Sequence, residues 1–159
     1  MSGCRASYAS EEIEISTPDA DEMLDIEWRS KKALVDFFDL LNQGNYEKAA
    51  ALYGGSYDML QGYNPEADPM DESGLLAAGC QANGLMCLSV LNATLTQINN
   101  QKEFNYDVSY RNPDGTEFVL GPCCGASEEE MPPVSTFTVH VVCDTWDSCQ
   151  VMDLPPYVP

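Results

Sequence analysis

Residues 33–53 read ALVDFFDLLNQGNYEKAAALY, and the spacing within this stretch sets the fold class. Leu34, Phe37, Phe38 and Leu41 fall at i, i+3, i+4 and i+7, the period of a helix that buries one face. Gly44 stops that helix, because glycine takes left-handed backbone at a helix end without steric cost. Asn45 then stands where a side-chain oxygen caps a second helix, in which Tyr46, Ala49, Ala50 and Tyr53 repeat the spacing. Gly54-Gly55 ends it, and residues 54–67, rich in Gly and Tyr, read as an irregular loop. Asp68-Pro69 restarts a helix with Asp at the cap and Pro at the first position. Leu75, Leu76 and Cys80 form its apolar side, and Gly84 ends it.

Beyond Gly84 the period changes from helix to strand. Residues 87–98 are rich in Leu, Val and Thr, and Phe104, Tyr106, Val108 and Tyr110 alternate with polar residues, as a half-buried strand requires. Asn112-Pro113-Asp114-Gly115 is a turn signal, and residues 117–120 read as the returning strand of a meander. A loop over 121–133 carries Cys123-Cys124-Gly125, an acidic triplet and Pro132-Pro133. Phe137, Val139, Val141 and Cys143 then alternate with Thr136, Thr138, His140 and Val142. A turn at Trp146 leads to a last strand over 149–154 and a Pro-rich tail. Helices first and strands after predict an α+β fold, an antiparallel sheet with the N-terminal helices packed on one face.

The chain has 159 residues, enough for one domain, and 44% are hydrophobic, enough for a core. With 26 acidic against 7 basic residues its net charge is −19, which opposes contact with nucleic-acid phosphates or anionic headgroups. That acidity suits solubility and a salty or extracellular setting. The acidic runs at 11–14, 19–25 and 128–130 read as solvated loops and tails. Residues 5–22 lack an apolar stripe, so the expected division is a 1–22 linker and a 23–159 folded domain.

Seven cysteines are an odd number. Six of them, Cys80, Cys87, Cys123, Cys124, Cys143 and Cys149, lie in the second half and suit three disulfides. Cys143 and Cys149 flank a tight hairpin, where facing residues sit within disulfide reach. Cys80, near a helix end, and Cys87, opening the strand that doubles back, make a local bridge. A vicinal Cys123–Cys124 bond then completes the set despite strain, because adjacent Cα atoms lie only about 3.8 Å apart. The alternative crosses Cys80 and Cys87 to Cys123 and Cys124. Those four could also bind zinc, but their spacings are not those of usual zinc ligands. No Cys-x-x-Cys pair is present.

Cys4 stands apart. Ser2-Gly3-Cys4 resembles the end of a bacterial lipoprotein signal, which implies that Cys4 becomes the first mature residue and carries the lipid. The expected protein is then an export product, and the linker holds its domain about 20–25 Å from the bilayer. Residues 33–53 resemble the opening of nuclear transport factor 2-like (cystatin-like) domains, in which a long helix, a short turn and an Ala-rich helix precede a curved sheet. Residues 80–88, 118–125 and 154–159 further resemble uncharacterised bacterial envelope lipoproteins with such a domain, and the likeness spans about residues 28–159. The fold hosts enzymes, ligand-binding domains and assembly modules, so activity does not follow from it.

Domains of this fold often keep a pocket between helices and sheet. Trp28, Phe37, Phe38, Tyr53, Tyr106 and Phe137, with Tyr46 and Phe104, stand to line one or to fill the core. Related isomerases and dehydratases use a buried acid, Tyr or His there. Asp36 or Asp39 would serve if turned inward, yet the helix stripe puts neither on the apolar face. His140, the single histidine, is expected on the solvent face of its strand without an acid/base partner. Asn92-Ala93-Thr94 matches a glycosylation acceptor but falls mid-strand. No phosphate loop, zinc-protease motif or Ca²⁺ loop is present, and no residue is assigned a catalytic, metal-binding or cofactor-binding role. The expected protein is an extracytoplasmic, lipid-anchored binding or interaction domain of the cell envelope. It would meet the membrane through Cys4 alone, take a small ligand or an envelope protein, and bind no nucleic acid. The alternatives are an isomerase or dehydratase, and a cytosolic zinc-binding assembly protein.

Overall fold

In the computed structural model, residues 20–145 and 148–159 are described. Helix α1 runs Ala20–Asn42 and buries Ile26, Ser30, Ala33, Leu34, Phe37, Phe38 and Leu41. Its first turn carries Asp21 and Glu22, which suits the positive end of the helix dipole. The helix therefore includes residues 20–22, which composition assigns to the linker. Gly44 has φ +74° and turns the chain into α2, Tyr46–Leu52. Asn45 makes no side-chain capping bond, contrary to expectation, because its backbone (φ −91°, ψ 66°) is not in the extended cap geometry.

Residues 54–67 are not all loop. Helix α3, Asp58–Tyr63, forms there, with the Ser56 hydroxyl accepting from the Asp58 N–H at 3.0 Å. Leu60, fully buried, is its one buried anchor, too sparse a signal for periodicity to register. Helix α4 is Glu72–Gln81, beginning later than Asp68-Pro69 predicts. Asp71 is the working cap, its Oδ1 accepting from the Gly74 N–H at 2.9 Å. Asp68 instead shapes the turn before it, accepting from the Met70 N–H.

Four strands follow: β1 Ser89–Asn99, β2 Glu103–Arg111, β3 Phe137–Thr145 and β4 Ser148–Val151. They form one antiparallel sheet in chain order. The alternation in β2 is realised: Phe104, Tyr106, Val108 and Tyr110 are all buried. The α+β class is therefore observed, with α1 lying against β1, β3 and β4. The meander differs from expectation in its third member. The turn at 112–115 closes, with Gly115 at φ +88° and its N–H on the Asn112 carbonyl. The returning segment then makes only the isolated bridges Arg111↔Glu117 and Leu120↔Val134. β3 takes the free edge of β2 from Glu103 to Val108, so the returning segment pairs with β2 only at its end, where Phe118 N–H donates to the Tyr110 carbonyl at 2.9 Å.

The chain end closes the structure. Val158 N–H donates to the Gly84 carbonyl and Met86 N–H to the Pro156 carbonyl, so the tail pairs with residues 84–86. Gly84 is required there: its φ is +81°, and a Cβ would lie 2.2 Å from the Val158 carbonyl oxygen. The outer edge of β4 is covered by the end of α2, where Gly54 N–H donates to the Val151 carbonyl at 2.9 Å.

Two interior tyrosines differ in how their hydroxyls are satisfied. Tyr106 OH lies 2.5 Å from the buried Ser30 Oγ, which donates to the Glu27 carbonyl at 2.8 Å. Tyr110 OH is buried with no hydrogen-bond partner among the described residues. Removing a satisfied hydroxyl loses a bond and orphans its partner, whereas removing an orphan relieves a desolvated group. Tyr106→Phe is expected to cost about 1 kcal/mol in urea denaturation, and Tyr110→Phe to leave stability unchanged or raise it.

Candidate functional site

The interface between helices and sheet is where the sequence leaves open a pocket or a core, and four of its aromatic side chains are buried there. Phe37, Phe38 and Tyr106 have no exposed surface and Tyr53 has 6%. A side chain with no accessible area lines no chamber that admits water. The rings pack on one another: Phe37 stacks on Tyr53 at 5.6 Å, and Phe38 meets Tyr110 edge-on at 5.0 Å. These residues are core, the second of the two roles open to them. Trp28 leaves the set altogether. It is 62% exposed, because it sits on the side of α1 opposite the buried stripe. Phe137 is half-buried at the start of β3, against Tyr110 and Phe118.

Among the described residues, two of the hollows lie on the outside. One, of about 220 Å³, opens between α1 and the β4 cysteine, lined by Arg29, Lys32 and Asp36. Its charges are already paired: Arg29 with Asp25 at 2.8 Å, and Lys32 with Asp36. The other, of about 370 Å³, lies between the turn at Gly44 and the start of α4. Asp39 is partly covered; burial, and then the neighbouring Asp36 carboxylate, raise its pKa above the ordinary value. Neither Asp36 nor Asp39 belongs to the buried face of α1, so neither is an inward-facing base.

His140 is exposed on the outward side of β3, as alternation expects, but it does have a partner. Asp153 Oδ2 accepts from the His140 backbone N–H at 2.6 Å and lies 2.7 Å from Nδ1. The missed signal is the hairpin geometry. Met152 N–H bonds to the His140 carbonyl just past the end of β4, which carries Asp153 back to the histidine. The pair ties the tail to the sheet. Among the described residues no group of three His, Cys, Asp or Glu side chains is placed to hold a metal ion.

The cysteines divide sharply. Cys80 is bonded to Cys87 and Cys143 to Cys149, with Cα separations of 5.6 and 4.0 Å. The expected vicinal bond is not formed: Cys123 and Cys124 are free thiols, Sγ to Sγ 2.9 Å. Adjacent Cα atoms are closer than disulfide geometry favours, and Cys124 already holds φ +60°. The crossed pairing and the four-cysteine zinc set are both ruled out by the Cys80–Cys87 bond. Asn92 and Thr94 are exposed on β1, joined by an amide-to-hydroxyl bond of 3.2 Å. Cys4, the residues 5–19 of the linker and the Trp146 turn lie outside the described residues.

No family model, no curated protein and no solved structure matches this chain.

Both disulfides close short loops, of sequence separation 7 and 6. Chain entropy assigns each about 2 kcal/mol. Paired Cys→Ser replacement at 80/87 or at 143/149 is expected to lower unfolding free energy by that amount, read by urea denaturation. Replacing Cys123 and Cys124 together is expected to leave it unchanged.

Burial, then the Asp153 carboxylate, push the Tyr53 pKa up to about 12, and burial likewise raises Tyr57 and Tyr110. A raised tyrosine pKa means the folded state favours the neutral phenol. Its contribution is complete below the unfolded value, near about 10, and is lost as pH climbs through the folded value. The urea midpoint is therefore expected to fall between pH of about 10 and about 12, less steeply in Tyr53→Phe.

Proposed function

We propose that this chain is an extracytoplasmic interaction domain that works through its surface, tethered by lipid on Cys4 and of nuclear transport factor 2-like kind. The packed aromatics carry this reading: Phe37, Phe38, Tyr53 and Tyr106, four of the side chains that would line a substrate chamber in that fold, have little or no accessible area. A small-molecule isomerase or dehydratase needs such a chamber and an acid or base facing into it. The helices lying on one face of a four-stranded antiparallel sheet support the proposed kinship. The two disulfides are compatible with an oxidising compartment. Among the described residues no helix is long and apolar enough to cross a membrane, so attachment would rest on the lipid. The occupant would be an envelope protein or a small ligand held at the surface.

Mass spectrometry of the full-length product from its own host tests this. The expected mass shows a chain beginning at Cys4, a lipid adduct there and four oxidised cysteines. An intact Met1 with five or more free thiols and bound zinc would falsify the reading in favour of a cytosolic assembly protein.

A further inference from the structure

The outward face of α1 combines exposed apolar side chains with a cluster of basic ones. Trp28 and Leu24, one helical turn apart, are 62% and 64% exposed. At about 100° per residue they form one stripe with the half-buried Val35, on the side away from Ser30 and Phe37. The chain has only seven basic residues, yet Arg29, Lys31 and Lys32 follow Trp28 directly. Carboxylates precede it: Asp21, Glu22 and Asp25. Charge along the helix thus changes sign about Trp28. Within the chain, Arg29 pairs with Asp25 and Lys32 with Asp36, while Lys31 is exposed without an ion-pair partner among the described residues.

We infer that this face binds a second copy of the chain, with the two α1 helices antiparallel and crossing at Trp28. In a two-fold arrangement a residue and its contact exchange places in the other copy, so a sequence whose charge reverses about one point is complementary to itself. Centred on Trp28, Asp25 of one copy comes opposite Lys31 of the other, and Leu24 opposite the aliphatic stem of Lys32. The two indoles meet in the middle, where a large aromatic surrounded by polar residues is the usual energetic centre of an interface. A parallel pairing would instead set carboxylates against carboxylates and cations against cations. The net charge of −19 per copy opposes association at long range, but that repulsion is screened beyond about 8 Å at physiological ionic strength. The inference is independent of where the chain resides and of its anchor.

Sedimentation velocity of the full chain, from about 5 to about 500 µM, tests it. A concentration-dependent dimer is expected, its dissociation constant raised at least tenfold by Trp28→Ala. Asp25→Lys and Lys31→Asp are each expected to weaken it about tenfold, and the two together to restore it, because the complementarity returns with reversed sign. All three residues are solvent-facing or paired only at the surface, and circular dichroism of each variant checks that the fold persists. A monomer at every concentration overturns the inference. So does a dimer indifferent to Trp28→Ala and to the charge reversals. A monomer that binds phosphatidylcholine vesicles, and loses that binding in Trp28→Ala, also overturns it and assigns the face to a bilayer.

Discussion

The structure depends on one packing constraint: the single apolar stripe of α1 must be covered by the inner face of the sheet. Leu34, Phe37, Phe38 and Leu41 are buried to within 1% of complete exclusion, and Phe38 meets the ring of Tyr110 on β2. Side chains of this size each contribute on the order of 2 kcal/mol on burial, so losing the stripe would exceed the margin of an ordinary domain. The polar exception on the stripe, Ser30, is tolerated because Tyr106 and the Glu27 carbonyl satisfy it. The tightness of this contact also explains why these rings expose so little surface. Aromatic rings from both layers interlock where other arrangements would leave space.

Around that centre, the margins are held by short covalent and main-chain clasps. Cys80–Cys87 fixes the passage from α4 into the sheet, and Cys143–Cys149 fixes the β3–β4 hairpin. The tail binds residues 84–86 through backbone bonds and reaches His140 through Asp153. Tyr63 and Tyr157 stack at 5.7 Å where the tail passes α3. These ties lie at the places where helix meets sheet or strand meets strand. Among the described residues the exposed surface carries scattered carboxylates, isolated apolar side chains such as Met70 and Val119, and the mixed apolar and basic side of α1.

Much of the fold was legible. The stripe of α1, the alternation in β2 and β3, and the turn at 112–115 are local patterns, and local patterns survive into the structure. The two disulfides were legible because each joins cysteines over a short span, one across the β3–β4 hairpin and one from the end of α4 to the approach to β1. Element boundaries were less so. Asp71 displaced Asp68 as the cap of α4, and residues 117–120 lost their expected place to β3, since which strand occupies an edge is decided by competition between distant segments. The candidate site was read least well. Aromatic residues at helical spacing are the same whether they line a cavity or fill it, and Trp28 lies two residues from the stripe positions Ile26 and Ser30, on the opposite side of the helix.

By itself the sequence determined the α+β class, the acidic surface, the buried faces of α1 and β2, and the short-range cysteine pairs. Each follows from period, charge or spacing within a few residues of chain. Only the tertiary structure decided that Phe37, Phe38, Tyr53 and Tyr106 pack as core, that Cys123 and Cys124 remain thiols, that His140 meets Asp153, and that Trp28 faces outward. These depend on volume and on distances between segments far apart in sequence. Packing density and backbone geometry settle such quantities, and periodicity carries no information about them.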